Sequence, residues 1–386
     1  MRKKIVILTT SRADYGLLYN LIKLFQKNKK KYDLKLIVSG SHLSKKHGFT
    51  INEIKKDNLK IYSTIKILKE DKIKNEMIYS SNKIISKFSD NLSKINPKLV
   101  IILGDRFEVF GAAYASFILK IPIAHISGGD VTMGAQDDVF RHCITKMSWW
   151  HFVSNSVSKK RVIQLGENPN RVFNVGSLGA DMISNIKFFT KKYIENKTGI
   201  KFAKKNIFIT FHPETLSITK TTDMLKEILR AISQFSDINF IFSSSNIDSN
   251  GYIINELIIK FVKNNKNAYF YNSFGRNLYL SIIKHVDAVL GNSSSGITEV
   301  PLLNKYTINV GDRQQGRYKT KSILDTRCTK KDIVASINYL YNSNYKIKKM
   351  YNPYSTKGAS NKIFKIIDTK DFPENLKKPF YDLIKY

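Results

Sequence analysis

Short apolar runs recur along the chain, each followed by a polar turn and then by a stretch with apolar residues three and four apart. In the first half the runs are KIVILTT (4–10), DLKLIVSG (33–40), IYSTIKI (61–67), KLVIILGD (98–105), IPIAHIS (121–127), WHFVS (150–154) and RVFNVGS (171–177). Helical spacing occupies 17–26 and 74–94, and SRADYG (11–16) reads as the turn before the first helix. The rhythm restarts with NIFITFH (206–212), NFIFSSS (239–245), AYFYNS (268–273), DAVLGNS (287–293) and YTINVG (306–311), with helical stretches such as 222–235 and 252–263 between them. Runs that are apolar throughout are strands buried on both faces, the mark of a parallel sheet covered by helices. The expected fold class is therefore α/β, with two Rossmann-like domains whose parallel sheets face a central cleft. The expected domains are 1–180 and 181–368, with 369–386 as a short helix packing back on the first domain.

Length supports this division, since 386 residues exceed one ordinary core. The basic and apolar start resembles a leader peptide, but its apolar run is short and no small-residue cleavage site follows; a first strand explains it better. No stretch approaches the roughly 18–20 apolar residues of a membrane span. Two cysteines far apart in sequence, Cys143 and Cys328, suit a reducing compartment, so the expected location is cytoplasmic. The net charge of +33 would suit an anionic partner. Its lysines are scattered in small clusters, Lys29 to Lys31, Lys45-Lys46, Lys204-Lys205 and Lys330-Lys331, and Lys, Asn and Ile are abundant everywhere. Composition accounts for that, and neither nucleic acid nor membrane is an expected partner.

The chemically capable residues fall at strand C-terminal ends, where open parallel sheets bind ligands. They are Ser11-Arg12, His42, Gly104-Asp105, His125 with Gly128-Gly129-Asp130, His212 with Glu214, and Asn292 to Ser295. GNSSSGITE (291–299) follows a strand and opens a helix, so Ser293, Ser294, Ser295 and Gly296 offer hydroxyls and backbone N–H groups to a diphosphate. Glu299, one turn on, is placed to accept from ribose hydroxyls. Arg12 leaves the first strand in a loop without G-x-G-x-x-G, which counts against a dinucleotide-binding dehydrogenase, and a guanidinium suits an anion. HISGGDVTMGAQDDVFRH (125–142) is a glycine-broken loop that gathers Asp130, Asp137, Asp138 and Arg141 after Asp105. Several carboxylates at one edge can divide acid and base roles. A metal site is the rival reading of the same set, but its spacing matches no metal motif. His212 ends the first strand of the second half, and GDRQQGR (311–317) adds Arg313 in a loop able to close on a substrate.

With these residues the chain resembles the hydrolysing UDP-N-acetylglucosamine 2-epimerases of bacterial sialic acid and related nonulosonic acid synthesis. The likeness runs from SRADYG through VIQLGENPNRVFNVGSLGA (162–180), HPETLS (212–217) and GNSSSGITEVP to GDRQQGR, over four fifths of the chain. It implies the B-type glycosyltransferase arrangement of two Rossmann-like domains, a homodimer, no metal or redox cofactor, and conversion of UDP-N-acetylglucosamine and water to N-acetylmannosamine and UDP. By position it implies acid–base roles for Asp105 and Asp137, a catalytic-domain role for His212, phosphate contacts from Ser294 and Ser295, ribose binding by Glu299 and an anion contact from Arg12. The family stretch H-I-E-G-G-E departs here: Ser127 replaces its first Glu and Asp130 its second. Asp130 is therefore the reserve carboxylate. UDP-N,N'-diacetylbacillosamine is the alternative substrate, and a B-type glycosyltransferase, a non-hydrolysing epimerase and a nucleic-acid-binding module are the rival functions.

Overall fold

The structure is a computed structural model that describes residues 2–45, 48–69, 75–214, 216–245, 251–342 and 352–384. Lys46, Lys74, Thr215, Lys385 and Tyr386 lie outside the described residues. The chain divides into two compact units.

The first unit comprises residues 1–130, 137–184 and 354–386. Its strands are β1 (Lys3–Thr9), β2 (Tyr32–Ser39), β3 (Ile61–Ile65), β4 (Leu99–Leu103), β5 (Ile123–Ile126), β6 (Trp150–Val153) and β7 (Val172–Asn174). They form one parallel sheet in the order β3-β2-β1-β4-β5-β6-β7. Ile5, Ile7, Leu36, Val38, Leu99 and Ile101 are completely buried, as the uninterrupted apolar runs require. The first helix, Arg12–Lys27, starts earlier than its apolar spacing suggests. Ser11 and Asp14 form a reciprocal capping box, which makes SRADYG the first turn of the helix instead of a loop.

The second unit comprises residues 131–136 and 185–353. Its strands are β8 (Lys205–Thr210), β9 (Ile238–Ser243), β10 (Ala268–Tyr271), β11 (Ala288–Gly291), β12 (Tyr306–Val310) and β13 (Ile323–Thr326). They form a second parallel sheet, β10-β9-β8-β11-β12-β13. Strand β13 was not legible in the apolar pattern.

Two expected boundaries change. Residues 131–136 cluster with the second unit, and the chain returns to the first unit at Tyr354, before the expected limit at 368. The expected terminal helix over 369–386 is displaced: the helix is Ala359–Thr369, and the described residues beyond it form none. The tail is held by side chains. Phe372 packs on Trp150 at 5.5 Å between ring centroids, and Tyr381 N–H donates to Gly166 O at 2.9 Å. Asp181 caps the Ala359–Thr369 helix, accepting from the backbone N–H groups of Gly358, Ala359 and Ser360. No helix among the described residues is long and apolar enough to cross a membrane.

Both strand orders reverse once, between β1 and β4 and between β8 and β11. A doubly wound sheet opens a crevice at such a switch, outside the strand C-terminal ends. Thr10 to Arg12 and Gly104-Asp105 leave the first switch; His212 to Glu214 and Asn292 to Ser295 leave the second.

Candidate active site

At the first switch the loop after β1 is tied down by Asp14. Its carboxylate accepts from Thr9 Oγ1, from Thr10 N–H at 2.9 Å and Thr10 Oγ1 at 2.8 Å, and from Ser11 N–H. Burial would raise the Asp14 carboxyl, but His42 and these donors outweigh it and hold it below its ordinary value. His42 is fully buried, with Thr9 Oγ1 3.0 Å from Nε2 and Thr50 Oγ1 2.8 Å from Nδ1. Both ring nitrogens are used within the fold, so His42 braces the loop. Arg12 is the first residue of the helix and is half-buried.

Asp105 follows Gly104, whose φ of +87° turns the chain sharply out of β4. The centre here is Arg141, whose role no local sequence pattern marks. Only 1 % exposed, its guanidinium donates from Nε to Asp105 Oδ2 at 2.8 Å, from Nη2 to the same oxygen, and from Nη1 to Asp138 Oδ1 and to the Asp130 carbonyl. Burial lowers the Arg141 guanidinium's affinity for its proton, and the charges of Asp105, Asp130 and Asp138 more than restore it. Asp105 and Asp138 each keep about a fifth of their side chains exposed, so this cluster opens to solvent. Asp130 is buried and accepts at Oδ1 from Ser158 Oγ at 2.6 Å. Asp137 opens the helix Asp137–Met147 and is half-buried.

His125 is sealed, with Nε2 2.8 Å from Gly104 O and Nδ1 3.4 Å from Thr145 Oγ1. Burial pushes it down to about 3, which keeps it neutral and fixes it as a support for the turn carrying Asp105. Ser127, at the departure from the family stretch, stands in the left-handed region at φ +68°.

At the second switch Asn292 joins the two loops. Its side-chain oxygen accepts from His212 N–H at 2.8 Å, and its amide donates to His212 O at 2.8 Å. His212 is buried, with Ser245 Oγ 3.4 Å from Nδ1. Glu214 is buried too, which raises its carboxyl; it accepts from Asn292 Nδ2 and Arg313 N–H. Arg313 Nη1 and Gln314 Nε2 both donate to Asn292 O. The loop of 311–317 thus turns Arg313 inward as a brace for the switch.

The helix opened by the serines is only Ser294–Thr298, because Pro301 prevents its continuation. Its dipole is correspondingly small, so local donors matter more than the helix terminus itself. Ser293 caps it by accepting from Ser295 N–H. Ser295 Oγ lies 2.5 Å from Tyr279 Oη, while Ser294 is exposed at the loop tip. Gly296 lies tight against the sheet, where a Cβ would come 2.8 Å from Thr307 Cγ2. Burial raises the Glu299 carboxyl, against a hydrogen bond from Ser295 and the charge of Arg317. Among the described residues no three His, Cys, Asp or Glu side chains are grouped to hold a metal ion.

Two doubly wound sheets, each with polar loops at its switch point, define a class of α/β proteins that hold nucleotide-linked ligands at strand ends. The family model for UDP-N-acetylglucosamine 2-epimerase matches residues 25–368, and the chain belongs to that family. A relative from Campylobacter jejuni, named GDP/UDP-N,N'-diacetylbacillosamine 2-epimerase (hydrolyzing), is 40% identical over 326 residues, 84% of each chain. Polysialic acid biosynthesis protein P7 from Escherichia coli is 37% identical over 383 residues, 98% of this chain and 97% of that one. The fold is similar to the crystal structure of UDP-GlcNAc 2-epimerase from Neisseria meningitidis bound to UDP-GlcNAc, with a TM-score of 0.81 and 17% identity over 95% of this chain and 100% of that one.

Proposed function

We propose that the chain is a hydrolysing 2-epimerase that converts UDP-N-acetylglucosamine and water to N-acetylmannosamine and UDP, in the cytoplasm, for sialic or related nonulosonic acid synthesis. The observation that carries this reading is the solvent-open carboxylate cluster around Arg141 at the first switch of a family member. In the proposed reaction the C1–O bond to the diphosphate breaks, UDP leaves with the bonding electrons, and the C2 proton passes to a base, giving a glycal. Water then adds across the double bond: a proton returns to C2 on the opposite face and hydroxide to C1.

No carbonyl activates the C2 proton, so stabilising the leaving diphosphate carries much of the barrier. Arg12 and the Ser293–Ser295 loop with Gly296 are assigned that task, with Glu299 on the ribose. Asp105 and Asp137 are assigned the proton transfers, worth about 10²–10⁴-fold, with Asp130 in reserve where the family stretch has its second Glu. His212 is assigned to the sugar, fixed by Asn292 at both backbone groups. Arg313 acts by holding the second switch in place.

The Campylobacter jejuni relative favours a second reading, the same reaction on UDP-N,N'-diacetylbacillosamine. One experiment separates them: incubation of the purified protein with each UDP-sugar and nuclear magnetic resonance of the released sugar. The proposal expects free UDP and N-acetylmannosamine without added metal. Release from the diacetylated sugar alone selects the second reading. UDP-N-acetylmannosamine without free UDP would make the enzyme non-hydrolysing, and UDP release that requires an acceptor would make it a transferase.

A further inference from the structure

One polar group beside the serine loop has no part in the reaction as proposed. Tyr279 stands on the helix Gly275–His285, whose Leu278, Leu280, Ile282 and Ile283 are buried. Its ring meets Phe208, a fully buried residue of β8, edge-on at 5.5 Å between centroids and 73° between planes. Packing alone would be served by phenylalanine. The hydroxyl adds a specific contact, because the anchored ring brings Tyr279 Oη to 2.5 Å from Ser295 Oγ.

Ser295 in turn is tied to Glu299. Ser295 O accepts from Glu299 N–H at 2.9 Å, which sets the two side chains one turn apart on one face of the short helix. The Ser295 hydroxyl donates to the Glu299 carboxyl, and with the charge of Arg317 it opposes the rise that burial causes. A serine hydroxyl carries one hydrogen. With that hydrogen on Glu299, Ser295 Oγ can only accept from Tyr279, so the phenol is the donor in the 2.5 Å contact. Donation therefore runs from Tyr279 to Ser295 to Glu299. The same count separates the neighbouring serines. A diphosphate oxygen accepts, so exposed Ser294 can donate to it, whereas the Ser295 hydroxyl has no second hydrogen to offer. Ribose hydroxyls donate to a carboxylate only where its oxygens are held in line with them. We infer that Tyr279 is a positioning residue of the nucleotide site: through Ser295 it fixes the Glu299 carboxylate for the ribose hydroxyls and so makes the site prefer a ribonucleotide to its deoxy form. The inference deepens the proposed function and rests on its assignment of Glu299 to the ribose.

The test is calorimetry with UDP and with 2′,3′-dideoxyuridine diphosphate, which keeps the base and the diphosphate but lacks both ribose hydroxyls. The wild type should prefer UDP by about 10–100-fold, the range for hydrogen bonds to a charged acceptor. Glu299→Ala should abolish that preference. Tyr279→Phe keeps the ring on Phe208 and removes the donor; it should weaken UDP binding by about 3–10-fold and leave the dideoxy ligand within about twofold. Ser295→Ala should do the same, and Tyr279→Phe with Ser295→Ala should be no worse than either alone, since both cut one chain of hydrogen bonds. Thermal melts check the fold, and a general loosening of the loop shows itself as equal loss on both ligands. Equal loss in Tyr279→Phe, unchanged UDP affinity in it, or additive losses in the double variant would overturn the inference while Glu299→Ala still abolishes the preference. A wild type without preference, or Glu299→Ala that keeps it, would overturn the ribose assignment and the inference with it.

Discussion

Two charge clusters in the first unit are built on opposite plans. Around Arg141 one buried cation is ringed by carboxylates, and Asp105 and Asp138 remain about a fifth exposed. Around Glu167 one buried anion is ringed by donors: Lys146 at 2.7 Å, Lys378 at 2.7 Å and His151 at 3.0 Å, with Glu167 and His151 wholly inaccessible. Burial alone would raise the Glu167 carboxyl, but the three donors bring it down to about 2. Its role is closure. Lys378 comes from the C-terminal tail, and Phe380 lies over Gly166, where a Cβ would come 2.3 Å from the ring. A cluster whose acid is wholly sealed by its donors holds the fold, whereas one whose acids still meet solvent is available for chemistry.

The largest expected effect comes from removing the central cation. Arg141→Leu strands Asp105 and Asp138 and should cost on the order of 3–5 kcal/mol of stability, with turnover down about 10²-fold or more. Thermal melting and steady-state kinetics check both; a stable, fully active variant would show that Arg141 organises nothing. Glu167→Gln should cost about 3 kcal/mol while leaving kcat per folded molecule unchanged, which separates closure from chemistry. It also has an acid signature. The folded carboxyl titrates near 2 against an ordinary 4.5, so its stabilisation is complete above 4.5 and is lost as pH falls from there toward 2. The variant's stability should lack that part of the acid dependence in melts between those values.

A smaller change concerns the second switch. Ser294→Ala with Ser295→Ala should weaken UDP binding by about 5–150-fold, the loss of two neutral hydrogen bonds. Calorimetry reads this directly. Because Ser295 is already engaged by Tyr279 whereas Ser294 is exposed, Ser294→Ala alone should account for most of it.

Strands were legible wherever burial on both faces made an unbroken apolar run, as in β1, β4, β8 and β11. Strand β13, ILDT, carries an exposed Asp325 and shows no such run. Asp105 was legible because a Gly-Asp pair after an apolar run marks a strand end. Arg141's part was not, because its partners lie 36 positions away and on neighbouring turns of its own helix. The Glu167 cluster joins residues 211 apart, a pairing that no local pattern encodes. The capping box at Ser11-Asp14 did have a local signal, an S-x-x-D pattern before an apolar helix, and marks the helix start that apolar spacing alone places too late.

The central claim is that the carboxylates of the first unit perform proton transfer while the second unit holds the nucleotide. The direct measurement is kcat for Asp105→Asn and Asp137→Asn beside UDP affinity and thermal melts, with Asp130→Asn as the internal contrast. Asn preserves shape but cannot exchange a proton, so kcat should fall by about 10²–10⁴-fold with UDP affinity changed by no more than a few-fold. Asp130→Asn should be equally damaging if Asp130 has taken over the work of the Glu that Ser127 replaces, and within about tenfold of wild type if it only shapes the glycine turn. Near wild-type turnover in both Asp105→Asn and Asp137→Asn, with the fold intact, would contradict the account.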